Sequence, residues 1–184
     1  MTACAERLSS ANRVLVIGCS GGGKSTLAQA LSPKLNLPYI SMDRAFFWLP
    51  GWKLRERSQI RSMVADAVQE DRWIMDGTGH ATLDLRLPRA EALIWIRLPR
   101  LLCLTRVVLR WIRYAGRSRP EMTEGCPEKI DLEFLRYIWN FEKKQARDII
   151  DGLAKYGPDV PVFVLDSRGD ADALLALLER RDTD

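Results

Sequence analysis

The chain has 184 residues, of which 47% are hydrophobic, a length and composition suited to one α/β domain with a substantial core. No apolar run approaches the ~20 residues of a membrane span, and the N-terminal stretch lacks the apolar segment of a secretory signal. We therefore expect a cytoplasmic protein with no membrane partner. The net charge is +4. The cysteines form neither a C-x-x-C pair nor a zinc-ligand spacing, which predicts reduced thiols at Cys4, Cys19, Cys103 and Cys126.

Short apolar runs alternate with helical patterns along the chain. The strand-like runs lie at 14–17, 38–41, 72–75, 92–97 and 160–165, and the helical patterns lie at 24–35, 55–70, 100–114, 129–154 and 170–179. This alternation predicts βαβ units, and hence a parallel sheet with helices on both faces. We predict a single α/β domain over residues 1–184.

Residues 18–25 read Gly-Cys-Ser-Gly-Gly-Gly-Lys-Ser and satisfy every fixed position of the phosphate-binding pattern G-x-x-x-x-G-K-[ST]. A strand-like run precedes them and a helical pattern follows, so backbone N–H groups and a helix N-terminus would point at an anion. Lys24 can reach the β- and γ-phosphates of a nucleotide, and the Ser25 hydroxyl can ligate Mg²⁺. The alternative is an incidental glycine-rich turn. The motif predicts an ATP site formed by Gly18, Ser20, Gly21, Gly22, Gly23, Lys24, Ser25 and Thr26.

Two aspartates end strand-like runs, where ligands of open α/β sheets bind. Asp76 follows Trp73-Ile-Met75, and beside the motif strand it would act with Ser25 on Mg²⁺. Its alternative is a plain Asp-Gly turn. Asp43 follows the second run and is a candidate to accept a proton from a hydroxyl acceptor or to bind Mg²⁺ through water. Its alternative is the N-cap of the next helix.

The segment from 97 to 119 carries seven arginines and neither lysine nor acid, so it holds +7 while the rest of the chain sums to −3. Arg106, Arg110, Arg113 and Arg117 share one helix face if the helix extends through Arg117. Because no acid compensates this segment, we favour a local anion site over a merely solvated face. The apolar residues of the same segment are expected in the core; they are Leu102, Val107, Leu109 and Trp111.

A loop with four helix-breaking residues follows the arginine-rich helix. Gly116, Pro120, Gly125 and Pro127 interrupt regular structure between 115 and 128. Since arginines flank this loop, we predict a short phosphate-covering lid around 113–128. Cys19 lies inside the glycine-rich motif, where inert packing and oxidation sensitivity are both open.

Aromatic residues crowd the stretch after Asp43, at Phe46, Phe47, Trp48 and Trp52. They could stack on a flat ligand beside the phosphate site, or they could cover one end of the sheet. The sequence alone leaves both interpretations open.

In these motifs and their order, the chain resembles the adenylate-kinase-like P-loop kinases, and more closely the bacterial topology modulation protein group. The resemblance runs over nearly the whole chain. It is carried by the glycine-rich motif (18–25), Met-Asp (42–43), Phe-Trp (47–48), Gly-Trp (51–52), Trp-Ile-Met-Asp-Gly (73–77), Thr-Leu-Asp-Leu-Arg-Leu-Pro-Arg-Ala (82–90), Leu-Pro-Arg (98–100), Arg-Pro-Glu-Met (119–122) and Gly-Cys-Pro-Glu-Lys (125–129).

The resemblance implies a P-loop NTPase three-layer sandwich with a five-stranded parallel sheet of order 2-3-1-4-5. It also implies that Arg106 stacks on the ATP adenine, that Arg110 binds phosphate, and that Arg117 and Arg119 lie in the lid. One departure concerns the nucleoside monophosphate kinases, which commonly carry Asp-Gly-x-Pro-Arg after the third strand. Here residues 76–80 read Asp-Gly-Thr-Gly-His, so the arginine that grips a monophosphate is missing unless Arg86 or Arg89 replaces it. The topology modulation group also tends to have Asp where this chain has Arg97.

These observations favour a Mg-ATP-dependent kinase acting on a small molecule, nucleoside or nucleotide whose identity the sequence does not reveal. Its expected catalytic residues are Lys24, Asp43, Arg110, Arg117 and Arg119. One alternative is a nucleotide-dependent regulatory protein that acts on DNA topology, although no DNA-reading motif is visible. Another is a bare ATPase with an unfilled acceptor site. The oligomeric state, monomer or homodimer, is left open.

Overall fold

Five parallel strands form the central sheet in the computed structural model, which describes residues 2–181 and the side chains of residues 6–179. The strands of this sheet and of a separate hairpin, in chain order, are β1 (Arg13–Gly18), β2 (Tyr39–Ser41), β3 (Trp48–Leu49), β4 (Lys53–Leu54), β5 (Trp73–Asp76), β6 (Ala92–Ile96) and β7 (Val162–Leu165). The sheet order is β2-β5-β1-β6-β7, and β3 and β4 form a separate antiparallel hairpin. When the hairpin strands are not counted, the order is the predicted 2-3-1-4-5.

Helices cover both faces of the sheet and make three layers. They are α1 (Thr2–Ser9), α2 (Lys24–Lys34), α3 (Arg57–Ala67), α4 (Leu83–Arg86), α5 (Arg100–Arg113), α6 (Leu132–Tyr156) and α7 (Arg168–Arg181). Side chains of β1 alternate between the two faces. Val14 and Val16 pack in the core shared with α2 and α7, whereas Leu15 and Ile17 pack in the core shared with α3, α5 and α6. The predicted α/β sandwich is confirmed.

Local sequence explains where the longest helix begins and which side it buries. The Asp131 side chain caps α6 by accepting a hydrogen bond from the Phe134 N–H at 2.7 Å. Ile138, Phe141 and Ile149 then recur at helical spacing and are buried in the core. The helix therefore starts three residues later than the apolar pattern predicts.

Helix α5 differs from its prediction in two ways. It ends at Arg113, because Gly116 adopts a left-handed φ of +70° and the chain turns there. Arg117 therefore does not share the helix face of Arg106 and Arg110. The expectation that the apolar residues of α5 are core is wrong except for Val107, because Leu102, Leu109 and Trp111 are exposed.

The segment 114–131, which we call the arginine loop, docks against the β3–β4 hairpin. The Gly51 N–H donates to the Gly125 carbonyl at 2.9 Å, and the Trp52 indole Nε1 donates to the Pro127 carbonyl at 2.8 Å. The Thr123 hydroxyl donates to the Trp48 carbonyl at 2.8 Å. These bonds hold the loop over the carboxyl end of β2.

Two further expectations concern membranes and cysteines. In the described part of the chain, no helix is long and apolar enough to cross a membrane. Cys19, Cys103 and Cys126 are buried free thiols. The side chain of Cys4 lies outside the described residues.

Candidate functional site

A cleft of about 1180 Å³ opens at the carboxyl ends of β1, β2 and β5, between the P-loop, helix α5 and the arginine loop. This is the edge where ligands bind in open α/β sheets. Most of the site residues predicted from the sequence line it, namely Ser20, Gly21, Gly22, Gly23, Lys24, Ser25, Thr26, Asp43, Asp76, Arg106, Arg110 and Arg119. Gly18 ends β1 just below the cleft, and Arg117 is exposed outside it.

The P-loop backbone requires glycine where it approaches α5. Gly21 has φ +80°, and a Cβ added there would lie 2.3 Å from the Cys103 carbonyl oxygen. The loop ends at Lys24, where α2 begins, so the N-terminus of this helix faces the cleft. The Lys24 ammonium donates to the Cys19 carbonyl at 3.0 Å across the loop. The geometry fits the anion cradle that the motif predicts.

Ser25 and Asp76 meet at the floor of the cleft. Asp76 lies beside Val16 in the β1–β5 pairing, and the Ser25 hydroxyl donates a hydrogen bond to its Oδ2. Burial raises the pKa of Asp76, an effect that the Ser25 hydrogen bond and the Lys24 charge partly oppose. Asp76 is 4% exposed, and its role on Mg²⁺ stays a prediction.

The oxygen atoms of Ser25 and Asp76 fit a Mg²⁺ that takes its remaining ligands from phosphates and water. Among the described side chains there is no group of three or more His, Cys, Asp or Glu residues that could hold a metal ion. The described residues therefore do not form a metal centre with three or more His, Cys, Asp or Glu ligands.

Helix α5 presents arginines to the P-loop and to the arginine loop. Arg106 Nη1 donates to the Gly22 carbonyl at 3.3 Å. One turn later, Arg110 forms an ion pair with Glu128 at 2.7 Å, and Glu128 also pairs with Arg119 at 2.5 Å.

The prediction that no acid compensates the arginine segment is wrong, because the compensating acids lie further along the chain. Glu128 is nearly buried between Arg110 and Arg119, and Glu142 of α6 pairs with Arg97. Burial and the charge of Arg119 lower the pKa of Arg110, and Glu128 opposes that shift. Arg110 and Arg119 are therefore part of a specific ion-pair network in the cleft.

The opposite half of the cleft is aromatic and contains Asp43. Trp48, Trp52 and Tyr137 line this half, whereas Phe46 is buried in the core. Phe46 thus packs into the core, whereas the stacking of Trp48 and Trp52 on a flat ligand stays a prediction. Trp48 and Trp52 meet edge to face with ring centroids 5.1 Å apart.

Asp43 begins a short π-helical turn, Asp43–Phe47, whose N-cap is Met42, so the N-cap alternative is not realised. Its carboxylate is exposed to the cleft. Burial dominates the raised pKa of Asp76 and of Tyr137, and the Asp43 charge raises both further. Asp43 therefore acts electrostatically on both halves of the cleft.

Arg86 and Arg89 do not reach the cleft. Arg86 is fully buried, and its guanidinium donates to the carbonyls of Gly77, Thr78 and Gly79 at 2.6 to 2.8 Å. Burial lowers its pKa to about 10. Arg89 donates to the Val68 carbonyl on the far side of the sheet, away from the carboxyl ends of the strands. Neither guanidinium can replace the missing monophosphate-binding arginine.

Sequence reasoning missed several residues of the cleft. Tyr137 and Phe134 come from α6, and Ser167 and Arg168 follow β7. The rule that ligands bind at the carboxyl ends of strands would have found the β7 residues. Glu128 lies in the Gly-Cys-Pro-Glu-Lys stretch that carries the resemblance, but its contacts depend on how the arginine loop folds back onto α5.

Comparisons with known proteins establish the fold. A shikimate kinase from Bacteroides thetaiotaomicron is 17% identical, with a TM-score of 0.55 over 95% of this chain and 100% of that chain. A shikimate kinase from Acinetobacter baumannii in complex with shikimate is 12% identical, with a TM-score of 0.56 over 97% of each chain. A gluconokinase from Sinorhizobium meliloti is 16% identical, with a TM-score of 0.50 over 92% of this chain and 93% of that chain. No protein-family profile matches the sequence, and no curated protein matches it.

The chain has the fold of P-loop kinases. At these identities the likeness concerns the fold alone, and the resemblance to the topology modulation group is not confirmed by it.

Proposed function

We propose that the protein is a cytoplasmic, Mg²⁺-dependent kinase that transfers the ATP γ-phosphoryl group to a small hydroxyl-bearing molecule. The observation that carries the proposal is the convergence of three features on one cleft. These are the glycine cradle with Lys24, the Ser25–Asp76 pair, and the arginines of α5 and the arginine loop. The small-molecule kinases among the structural neighbours support the same reaction class by analogy of fold.

Bound Mg-ATP would supply the transferable phosphoryl group and neutralise part of its charge. Lys24 and the P-loop amides would hold the β- and γ-phosphates, with Ser25 and Asp76 as the protein ligands of Mg²⁺. Arg106 lies against the P-loop, where its guanidinium plane can stack on the base. Arg110 and Arg119 would stabilise the charge that develops on the transferring group. The arginine loop would act as the lid of the site.

The acceptor would bind between Trp48, Trp52 and Tyr137, where Asp43 can take the proton of the attacking hydroxyl. Because Arg86 and Arg89 are committed to backbone carbonyls, neither supplies the guanidinium that would grip a monophosphate. We therefore propose an acceptor without a phosphate group, such as a nucleoside or another polyhydroxylated compound.

We do not propose the DNA-directed alternative. Binding to DNA would need arginines that are available to neutralise its phosphates, and Arg97, Arg110 and Arg119 each pair with a glutamate in the structure. Membership of the topology modulation group and the choice between monomer and homodimer stay open within the proposal. The acceptor screen described below distinguishes a kinase from an enzyme that only hydrolyses ATP.

Thermal-shift titration with Mg-ATP tests the nucleotide site. Ligand at 100 times its Kd stabilises a protein by about 2.7 kcal/mol, and Lys24→Ala should lose most of that stabilisation. Lys144→Ala, an exposed position on α6, is the matched control and should behave as the wild type. Equal stabilisation of the wild type and Lys24→Ala by saturating Mg-ATP would refute the proposed site. ADP release in a screen of hydroxyl acceptors then separates kinase from ATPase.

A further inference from the structure

The Glu128 carboxylate joins helix α5 to the arginine loop. Its Oε1 accepts from Arg110 Nε at 2.9 Å and lies 2.7 Å from Arg110 Nη2, and its Oε2 lies 2.5 Å from Arg119 Nε. The Glu128 side chain is only 3% exposed. A buried carboxylate with two guanidinium partners is a fixed part of the site rather than a surface ion pair.

The atoms that Glu128 contacts are as informative as its partners. It contacts the Nε edge of both arginines, through Nε and Nη2 of Arg110 and through Nε of Arg119. A guanidinium has five N–H donors. Glu128 therefore leaves Nη1 of Arg110 and both terminal nitrogens of Arg119 to donate hydrogen bonds to a different acceptor. Both arginines line the cleft in which the phosphates are proposed to bind.

Electrostatics explains why such a residue is needed. Burial and the neighbouring charge of Arg119 lower the pKa of Arg110, so the two guanidinium groups disfavour each other. The carboxylate between them offsets this repulsion. Without the carboxylate, this repulsion would favour separation of the two guanidinium groups.

The backbone fixes Glu128 itself. Its N–H donates to the Arg117 carbonyl at 3.0 Å, and Glu128 forms an isolated β-bridge with Ala115. These contacts close the base of the arginine loop at the C-terminal end of α5. The backbone of the loop thus places the Glu128 carboxylate beside Arg110.

We propose that Glu128 is a positioning residue that aligns Arg110 and Arg119 with their terminal nitrogens towards the γ-phosphate. The proposal rests on the nucleotide site argued above. Glu128 does not touch the phosphate; it acts by keeping two guanidinium groups side by side. Its contribution is therefore specific to ligands that carry a γ-phosphate.

Glu128→Gln tests this directly, because it keeps the shape but removes the charge, and its amide NH₂ faces a guanidinium. The measurement is the affinity for ADP and for a non-hydrolysable ATP analogue, both with Mg²⁺, by calorimetry. We expect unchanged ADP affinity and a loss of about tenfold in the preference for the ATP analogue, as for one charge-assisted hydrogen bond. Glu124→Gln, exposed in the same loop, is the matched control and should keep the wild-type preference.

A double-mutant cycle separates positioning from a general structural effect. If Glu128 acts through Arg119, Glu128→Gln should cost less in an Arg119→Gln background than in the wild type. If Glu128→Gln lacks a cooperative thermal transition, Glu128→Asp replaces it; its shorter side chain cannot span both arginines, so the same loss is expected.

The outcomes are distinguishable. If the wild type prefers the ATP analogue and Glu128→Gln keeps this preference, the proposed role of Glu128 is wrong and the proposed function stays intact. Equal losses for ADP and the analogue also overturn it, because they indicate general disruption of the site. A wild-type protein that binds neither nucleotide overturns the proposed function and this inference together.

Discussion

The Ser25 hydroxyl donates a hydrogen bond to Asp76 Oδ2, and this bond ties the first turn of α2 to the carboxyl end of β5. Asp76 is buried where its charge is poorly solvated, and the protein offers it a hydroxyl and the charge of Lys24 in compensation. Burial of a carboxylate lowers the stability of the folded state, whereas the same carboxylate can ligate a cation, as expected where function and stability conflict.

Asp76→Asn should make the ligand-free protein more stable at pH 7 and should abolish the additional stabilisation by Mg²⁺ in the presence of ATP. Burial raises the pKa of Asp76 in the folded state, so the folded state retains its proton at a pH where the unfolded state has lost it. The free energy of unfolding of the wild type therefore falls as the pH rises through that window. Thermal melting at pH 7 and near pH 4 should show the advantage of Asp76→Asn shrinking at the lower pH. Asp66→Asn, exposed on α3, should show neither effect, and a lower melting temperature for Asp76→Asn at pH 7 would contradict the argument.

Arg106 and Arg110 should affect different kinetic constants. Arg106→Ala should chiefly raise the KM for ATP, by about tenfold, because its contact lies at the P-loop. Arg110→Ala should chiefly lower kcat, by about 10²-fold to 10³-fold, the usual cost of one donor to transition-state charge. Steady-state ADP formation measures both, with Arg136→Ala on the exposed face of α6 as the control. If neither variant changes nucleotide binding or turnover, the contacts of Arg106 and Arg110 are only structural.

Asp43→Asn should suppress acceptor-dependent ADP formation by about 10²-fold while leaving Mg-ATP binding nearly unchanged, because general base catalysis typically contributes 10²-fold to 10⁴-fold. The comparison needs an acceptor identified by thermal shift and a coupled assay with and without it. Efficient phosphorylation of common nucleoside monophosphates by the wild type would show that the argument from the missing arginine is wrong.

Arg86→Met should destabilise the protein by about 3–5 kcal/mol, the usual cost of breaking a buried charged network from one side. The change leaves the carbonyls of Gly77, Thr78 and Gly79 without their guanidinium donor. Urea unfolding measures the loss, and Arg147→Met, exposed on α6, provides the comparison for a surface arginine. A change below 1 kcal/mol would mean that water satisfies the same carbonyls.

The sequence predicts the sheet and the P-loop because both are encoded locally. Each sheet strand is a short apolar run, and the phosphate motif occupies eight consecutive residues between β1 and α2. Periodicity also predicts α5, but not its orientation. It shows that arginine and apolar positions lie on separate faces, and tertiary packing then decides that Val107 points inward while Leu109 points to solvent.

The parts of the site that the sequence did not predict depend on long-range contacts. Glu128 reaches Arg110 only because the arginine loop turns back onto the helix that precedes it. The sequence offers Arg86 as a replacement for the missing monophosphate-binding arginine, yet its side chain is buried and donates to the carbonyls after β5. Residue type fixed the chemistry available at these positions, and the fold decided whether a ligand could use it.

The docking of the arginine loop on the hairpin links the two ends of the cleft. The two segments share hydrogen bonds at Gly51, Trp52 and Thr123, so they would have to travel as a unit when the site admits or releases a compound. That unit carries Trp48 and Trp52 at one end and Arg119 at the other. A compound at the aromatic end and Arg119 would thus be held by the same unit of the chain. Because one unit holds both, a molecule that fits the aromatic end poorly would also be poorly placed for phosphoryl transfer.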